Sequence, residues 1–93
     1  MEIVDAEDKH RFEAHIDGHL AGYAQYMRQD GVVTYPHTVV GEQYEGQGVG
    51  SALARAALDD ARGRGLRVNA TCPFISRWIQ LHPAYQDLTV EPR

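Results

Sequence analysis

The first clear pattern along the chain is a strict alternation of polar and apolar side chains over Arg11–Ile16. Alternation with a period of two predicts a strand that buries one face, here the face carrying Phe12, Ala14 and Ile16. Asp17-Gly18 follows and suits a two-residue hairpin turn, because glycine accepts the positive φ that such turns need. We therefore expect His19–Arg28 to run back antiparallel, covered on both sides because its two faces are both largely apolar.

A second turn signal, Asp30-Gly31, leads into Val32–Val40, a run rich in β-branched and aromatic residues. Pro36 lies inside this run, and a proline cannot donate a hydrogen bond to a sheet. The strand is expected to bulge or splay there. The pattern predicts a meander of three strands, or of four if Glu2–Asp5 adds an edge strand.

After the loop 41–47 the apolar period changes from two to about 3.6, which predicts a helix ending near Arg62. Gly63 and Gly65 are expected to end this helix. Leu66–Ala70 then reads as a short strand, parallel to its predecessor because the helix between them is a crossover. The apolar side of the helix is predicted to carry Val49, Leu53, Ala56, Ala57 and Ala61.

A second helix is predicted to begin at Thr71-Cys72-Pro73, with proline in its favoured first-turn position, and to end at His82-Pro83. The tail, Ala84–Arg93, is expected to add one more turn or a short strand. The fold class is therefore α+β: an antiparallel meander, a glycine-loop helix, a parallel strand and a second helix. The apolar side of the second helix is predicted to carry Phe74, Ile75, Trp78, Ile79 and Leu81.

Length and charge narrow the possible functions. The 93 residues are predicted to form one domain, 1–93, and the net charge of −4 with dispersed basic residues argues against a nucleic-acid-binding surface. The one local cluster, Arg62, Arg64 and Arg67, stands beside acidic residues and is interpreted as a solvated helix end. The charged N-terminus lacks the apolar run of a signal peptide, and no stretch is long enough to span a membrane. With a single cysteine, we expect a cytoplasmic protein.

The most informative motif is the glycine loop Glu45–Ser51, which opens the first helix. Free backbone N–H groups and the helix dipole favour an anion at such a position, and glycine lets the backbone approach it closely. A glycine triplet alone is equally compatible with a flexible entry loop. A P-loop is excluded because no Gly-Lys-Ser/Thr follows, and a dinucleotide fingerprint fits poorly because Ser51 replaces its third glycine and an antiparallel meander precedes it.

The segment Tyr44–Leu53 resembles the loop Gln/Arg-x-x-Gly-x-Gly/Ala of GNAT acetyltransferases, with Glu45 where that family has glutamine or arginine. The resemblance extends over Arg11–Val90. Over this range the chain is similar to a minimal GNAT group with a cysteine near the acetyl site. Four further segments carry it: His37-Thr38-x-Val40, Cys72-Pro73-Phe74, Trp78-Ile79 and His82-Pro83-x-Tyr85.

This resemblance implies a small GNAT fold that binds acetyl-CoA as co-substrate and transfers its acetyl group to an unidentified amine, on a small molecule or a macromolecule. No pair of histidines has metal-site spacing with supporting cysteines, so we expect no metal. The side chain of Glu45 is expected to point away from the pyrophosphate, which the backbone would bind. The residues implied to contact acetyl-CoA are Thr38, Val39, Val40, Glu45, Gly46, Gln47, Gly48, Val49, Gly50, Ser51, Pro73 and Phe74.

Cys72 matches the family cysteine, for which an acetyl-cysteine intermediate has been proposed. A thiol at a helix start is stabilised as thiolate by the dipole, and thiolates accept acyl groups from thioesters. The alternative is direct attack by the amine, with Cys72 as a small buried apolar residue lining the pocket. His37 is the preferred base, since His82 is expected to cap the second helix.

Two departures from larger GNAT enzymes bear on the reaction. Counting from Cys72 places Gln80 where many of them have a tyrosine acid, and Tyr85 is interpreted as a packing residue. A hairpin also replaces the pair of helices that shapes their acceptor site, so the acceptor is large or another subunit completes the site. The competing hypotheses are a CoA-binding module without turnover and a plain interaction domain. The oligomeric state stays open.

Overall fold

The computed structural model describes residues 1–89 and has the α+β architecture that the sequence predicts. Three short 3₁₀ turns at Glu7–Lys9, Glu42–Tyr44 and Pro83–Leu88 join the main elements. The strands and helices are β1 (Glu2–Ala6), β2 (Arg11–Ile16), β3 (His19–Gln25), β4 (Met27–Gln29), β5 (Val32–Thr34), β6 (Thr38–Val40), α1 (Val49–Gly63), β7 (Arg67–Asn69) and α2 (Pro73–Gln80).

The strands form two sheets. The larger is antiparallel, in the order β1-β2-β3-β6, and the smaller has the order β4-β5-β7, with β5 and β7 parallel as predicted. The expected break at Pro36 is confirmed, because β5 and β6 pair in different sheets. A second break, at Tyr26, was not predicted; the N–H of Tyr26 donates to the carbonyl of His10 at 2.9 Å instead of to a neighbouring strand.

Both predicted hairpin turns are confirmed. Asp17 and Gly18 have φ of 52° and 79°, and Asp30 and Gly31 have φ of 55° and 78°, the positive values that a two-residue hairpin turn requires. The expectation that both faces of His19–Arg28 are covered is wrong at the ends, where Leu20 and Met27 are exposed.

Helix α1 packs against the larger sheet and buries a wider stripe than predicted. Ala54 and Leu58 are buried as well, whereas Ala56 is only partly covered. The helix ends at Gly63, as predicted, and Gly65 completes its cap: Gly65 has φ of 71°, and the N–H groups of Gly65 and Leu66 reach back to helix carbonyls at 3.1 and 2.9 Å. This is the bonding pattern of a Schellman cap, which a glycine in the left-handed region favours.

Helix α2 has a narrower buried side than predicted, formed by Ile75, Trp78 and Ile79. Phe74 and Leu81 are 43% and 62% exposed, because this short helix presents a single stripe to the core. The predicted tail contains the turn Pro83–Leu88 and a bridge from Thr89 to β7; its remainder, residues 90–93, lies outside the described part. Among residues 1–89, no helix is both long and apolar enough to cross a bilayer.

Candidate functional site

The glycine loop reaches α1 through two residues in the left-handed region. Gly46 and Gly48 have φ of +83° and +80°, and a side chain at either position would be strained. A Cβ at either residue would meet no atom within 4 Å, so the space beside the loop is open. Glycine is therefore needed here for the backbone conformation and leaves room for a ligand.

The first turn of α1 presents unpaired donors. Its first internal bond runs from the Ala52 N–H to the Gly48 carbonyl at 3.0 Å, and no side chain caps the turn. Within residues 1–89, the N–H groups of Val49, Gly50 and Ser51 have no protein acceptor, and no acidic residue lies in this turn. Together with the helix dipole, these donors favour an anionic group such as a phosphate.

These donors open into a groove of about 390 Å³ between the first turn of α1 and one side of α2. The groove is largely aromatic and apolar, and Glu45, which is exposed, contributes the one carboxylate among the lining residues. Its lining consists of Val40, Tyr44, Glu45, Gly46, Gly48, Val49, Gly50, Ser51, Phe74, Trp78 and His82.

Most of the residues implied to contact acetyl-CoA come together here, and four do not line the groove. Val39 points to the opposite face of β6 and is exposed, and the Gln47 side chain is directed back to the Gln43 carbonyl at 3.4 Å. Pro73 is exposed at the start of α2, and Thr38 faces Cys72 instead.

The sequence interpretation did not assign Tyr44, Trp78 or His82 to the groove. Phe74, Trp78 and His82 are spaced four residues apart, which places them on one side of α2. That spacing could have identified this side of the groove, but the sequence pattern predicts that Trp78 packs in the core and that His82 caps the helix. The cap is confirmed, since His82 Nδ1 lies 2.6 Å from the Trp78 carbonyl.

Cys72 lies where β5 and β6, the two parts of the predicted strand Val32–Val40, separate. Its N–H donates to the Tyr35 carbonyl at 2.9 Å, and the Tyr35 N–H donates to Asn69 at 3.1 Å, so pairing continues up to this point. Beyond Tyr35 the chain turns away at Pro36 to form β6. The buried Cys72 thiol, at the N-cap of α2, contacts the Thr38 hydroxyl on β6 at 3.5 Å.

His37 lies on the other side of this junction, is exposed, and its carbonyl accepts the Gln25 N–H at 2.9 Å. In the part of the chain that the structure describes, Thr38 is the one side chain hydrogen-bonded to the Cys72 thiol. The structure therefore does not pair His37 with Cys72, and the role of His37 as base stays a prediction.

Comparison with known proteins places this geometry in a family. The model of the GCN5-related N-acetyltransferase domain matches residues 11–88. Protein NATD1 from Bos taurus is 37% identical over 57 residues, covering 61% of this chain and 50% of the relative. Protein NATD1 from Homo sapiens is 35% identical over 57 residues, with the same coverage of both chains. The chain thus spans about half the length of the curated relatives it matches.

Solved structures show the same arrangement. A GCN5-like protein from Staphylococcus aureus, determined by NMR, superposes with a TM-score of 0.75 at 26% identity, covering 99% of this chain and 90% of that one. Ribosomal-protein-alanine N-acetyltransferase from Brucella melitensis biovar Abortus 2308 shares the fold, with a TM-score of 0.65 at 18% identity over 89% of this chain and 62% of its own. The family match covers well over half of the residues, and the chain therefore belongs to the GCN5-related N-acetyltransferase (GNAT) family.

Proposed function

We propose that this chain transfers the acetyl group of acetyl-CoA to an amine, on a small molecule or a macromolecule. The observation that carries the proposal is the set of unpaired N–H donors at Val49, Gly50 and Ser51, which open into a groove walled by α2, the helix that Cys72 caps. Membership of the GNAT family supports acyl transfer as the chemistry.

The residues present fit acetyl-CoA. Gly46 and Gly48 leave open space beside the loop. The unpaired backbone N–H groups in the first turn of α1 can donate to an anion such as a pyrophosphate. Val40 and Phe74 offer an apolar wall for the uncharged part of the molecule. Bound there, acetyl-CoA would supply an activated thioester.

In the first of two routes, the Cys72 thiolate attacks the acetyl carbonyl carbon. The thioester bond to CoA breaks, CoA leaves as a thiolate that takes up a proton, and the acetyl group is bound to Cys72. The amine then attacks this new thioester, forms the amide, gives up a proton to a base, and releases the Cys72 thiolate. The N-cap position of Cys72 supports this route, because the dipole of α2 stabilises a thiolate.

In the second route, the amine attacks the thioester directly and His37 accepts its proton. The thioester bond breaks, CoA leaves as a thiolate that takes up a proton, and Cys72 only lines the site. The burial of the thiol, at 4% exposure, and its single side-chain contact with Thr38 within residues 1–89 favour this route. A transferred proton needs a base with a pKa near neutrality, and histidine meets this condition. Free thiols stay reduced in the cytoplasm, and we therefore propose that the protein works there.

A second candidate function is a CoA-binding module without turnover. It is favoured by the absence, within residues 1–89, of a hydrogen bond between His37 and the thiol, and by the exposed Gln80 at the position of the family's tyrosine acid. The groove and its donors would serve this function equally well.

Intact mass spectrometry after incubation with acetyl-CoA separates these possibilities, with wild type compared with Cys72→Ala. An acetyl adduct on wild type that disappears when a primary amine is added is the result expected of the covalent route. Amine acetylation at the full rate by Cys72→Ala assigns direct transfer instead. Bound CoA with neither adduct nor acetylated amine, over a panel of amines, assigns the non-catalytic module.

A control for the thiol's surroundings is Thr38→Val, which removes the one hydroxyl near the sulfur while preserving the shape of the side chain. If wild type fails to bind CoA at all, by isothermal titration calorimetry, the proposed function is wrong. Thermal unfolding of each variant shows whether a loss of activity reflects a loss of fold.

A further inference from the structure

The indole of Trp78 makes a hydrogen bond that reaches from α2 to the first turn of α1. Its Nε1–H donates to the Ser51 hydroxyl oxygen at 2.9 Å, and Trp78 is only 5% exposed. An indole N–H can only donate, so the hydroxyl oxygen of Ser51 must be the acceptor. The hydroxyl hydrogen of Ser51 therefore remains available for a different acceptor.

Ser51 is the third residue of α1, and its side chain borders the groove. Its backbone N–H is one of the three donors without an acceptor, and its hydroxyl hydrogen has no protein acceptor within residues 1–89. Ser51 can therefore present two donors at the end of the helix where an anion is favoured.

The indole is itself held in one orientation. The His82 ring stacks on it with centroids 3.7 Å apart and planes 13° apart, and the Tyr85 ring approaches at 5.1 Å. His82 Nδ1 also lies 2.6 Å from the Trp78 carbonyl, which can only accept, so this nitrogen carries the proton. Because the contacts with His82 and Tyr85 hold the indole ring in place, the direction of its N–H is fixed as well.

We propose that Trp78 is a positioning residue that orients the Ser51 hydroxyl so that it donates to a phosphate oxygen of CoA. A serine hydroxyl near a helix start otherwise bonds to nearby backbone groups, which takes its hydrogen away from a ligand. By occupying the oxygen from the α2 side, Trp78 favours the rotamer whose hydrogen is directed elsewhere. The inference rests on the proposed function, since it concerns the binding of the same CoA.

A double-mutant cycle, with the dissociation constant of CoA measured by isothermal titration calorimetry, tests this role. We expect Ser51→Ala to weaken binding about tenfold, since a hydrogen bond to a charged acceptor is lost, and Trp78→Phe to weaken it roughly three- to tenfold. The double variant should bind no more weakly than Ser51→Ala, because Trp78 acts through the hydroxyl. In turnover, Trp78→Phe should raise the KM for acetyl-CoA by a larger factor than it lowers kcat.

Ile79→Val is the matched control, a small change on the buried side of α2 at a residue that does not line the groove, and it should leave CoA affinity unchanged. Trp78 is the single tryptophan of the chain, so a tryptophan analogue with sulfur in place of the indole N–H replaces it alone. This nearly isosteric replacement provides the test if Trp78→Phe does not fold.

Effects of Trp78→Phe and Ser51→Ala that multiply in the double variant would overturn the positioning role, as would full CoA affinity in Ser51→Ala. These results leave the proposed function intact, provided that wild type binds CoA. Absence of CoA binding by wild type overturns both the proposed function and the role of Trp78, so the two failures are distinguishable.

Discussion

At the scale of single residues, Glu13 differs most from what its position in the sequence pattern indicates. The alternation of β2 places it on the polar face, yet it is only 6% exposed. Arg11 Nε donates to its carboxylate at 2.7 Å, and His15 Nε2 lies 3.0 Å from it. The hydrogen bond from Arg11, followed by that of His15, lowers the pKa of Glu13 from its ordinary value of 4.5.

Glu13→Gln should therefore reduce stability at pH 6 and change the response to acid. A carboxylate whose pKa is lowered by folding contributes stability above its unfolded pKa, and this contribution is lost as the pH falls through the folded pKa. We expect Glu13→Gln to cost about 1 to 2 kcal/mol of unfolding free energy at pH 6, and less as the pH falls below 4.5.

Urea unfolding at several pH values measures this difference. Glu42→Gln, a change at an exposed glutamate in the turn before the glycine loop, is the control and should follow wild type at every pH. A constant deficit of Glu13→Gln from pH 6 to pH 3 would show that its charge has no role.

At the scale of elements, the contact between the first turns of α1 and α2 shapes the groove. Gly50 is in ordinary helical conformation, but a Cβ there would lie 2.8 Å from Cζ of Phe74. The Phe74 ring can therefore lie against α1 because Gly50 has no side chain. Gly48 is less suitable for testing the groove, because its φ of +80° means that any side chain would also strain the backbone.

Gly50→Ala should displace the Phe74 ring, which is 43% exposed and can move, and should weaken CoA binding by roughly threefold because part of the apolar wall is lost. Gly63→Ala is the matched control: it lies in the same helix, and its Cβ would meet nothing within 4 Å. It should raise the unfolding free energy by about 0.5 to 1 kcal/mol and leave CoA affinity unchanged. Calorimetry and urea unfolding measure the two quantities, and wild-type CoA affinity in Gly50→Ala would contradict the expectation.

At the scale of the whole molecule, an ionic network joins the first strand to the far end of α1. Arg28 Nη2 lies 3.4 Å from Asp5 and 3.2 Å from Asp60, and the Tyr26 hydroxyl donates to Asp5 at 2.6 Å. Burial, together with this bond to Asp5, raises the pKa of Tyr26 to about 12, so its hydroxyl remains a donor at neutral pH. The network lies near the C-terminal end of α1, and the groove lies at the opposite end of that helix.

Arg28→Gln should cost roughly 1 to 2 kcal/mol of unfolding free energy, because two partly buried carboxylates lose one shared cation and keep only the more exposed Arg64. Arg62→Gln removes an ion pair between Arg62 and Asp87, whose side chains are 47% and 64% exposed, and should cost less unfolding free energy than Arg28→Gln because solvent screens the pair. Urea unfolding compares the two, and equal losses would show that burial of the network does not matter.

Much of the fold could be predicted because it is encoded in short stretches of the chain. The alternation in Arg11–Ile16, the two Asp-Gly turns and the change of period after residue 47 each reflect the geometry of one element. The consequence of Pro36 could also be predicted, since a missing N–H is a property of the residue itself. The interpretation of Arg62 and Arg64 as a helix end is consistent with their bonds to Asp87 and Asp60, whereas for Arg67 it is wrong, because Arg67 lies on β7 and donates to the Thr89 carbonyl.

The sequence by itself thus determined the order of the elements and the glycine loop that begins α1, because backbone conformation and helix-end donors depend on neighbours along the chain. Only the tertiary structure decided which side chains form the groove and which stay apart. Trp78 meets Ser51 across 27 residues, and the Cys72 thiol is hydrogen-bonded to Thr38 and not to His37. Such contacts depend on how the elements pack, and local patterns contain no information about the distances between them.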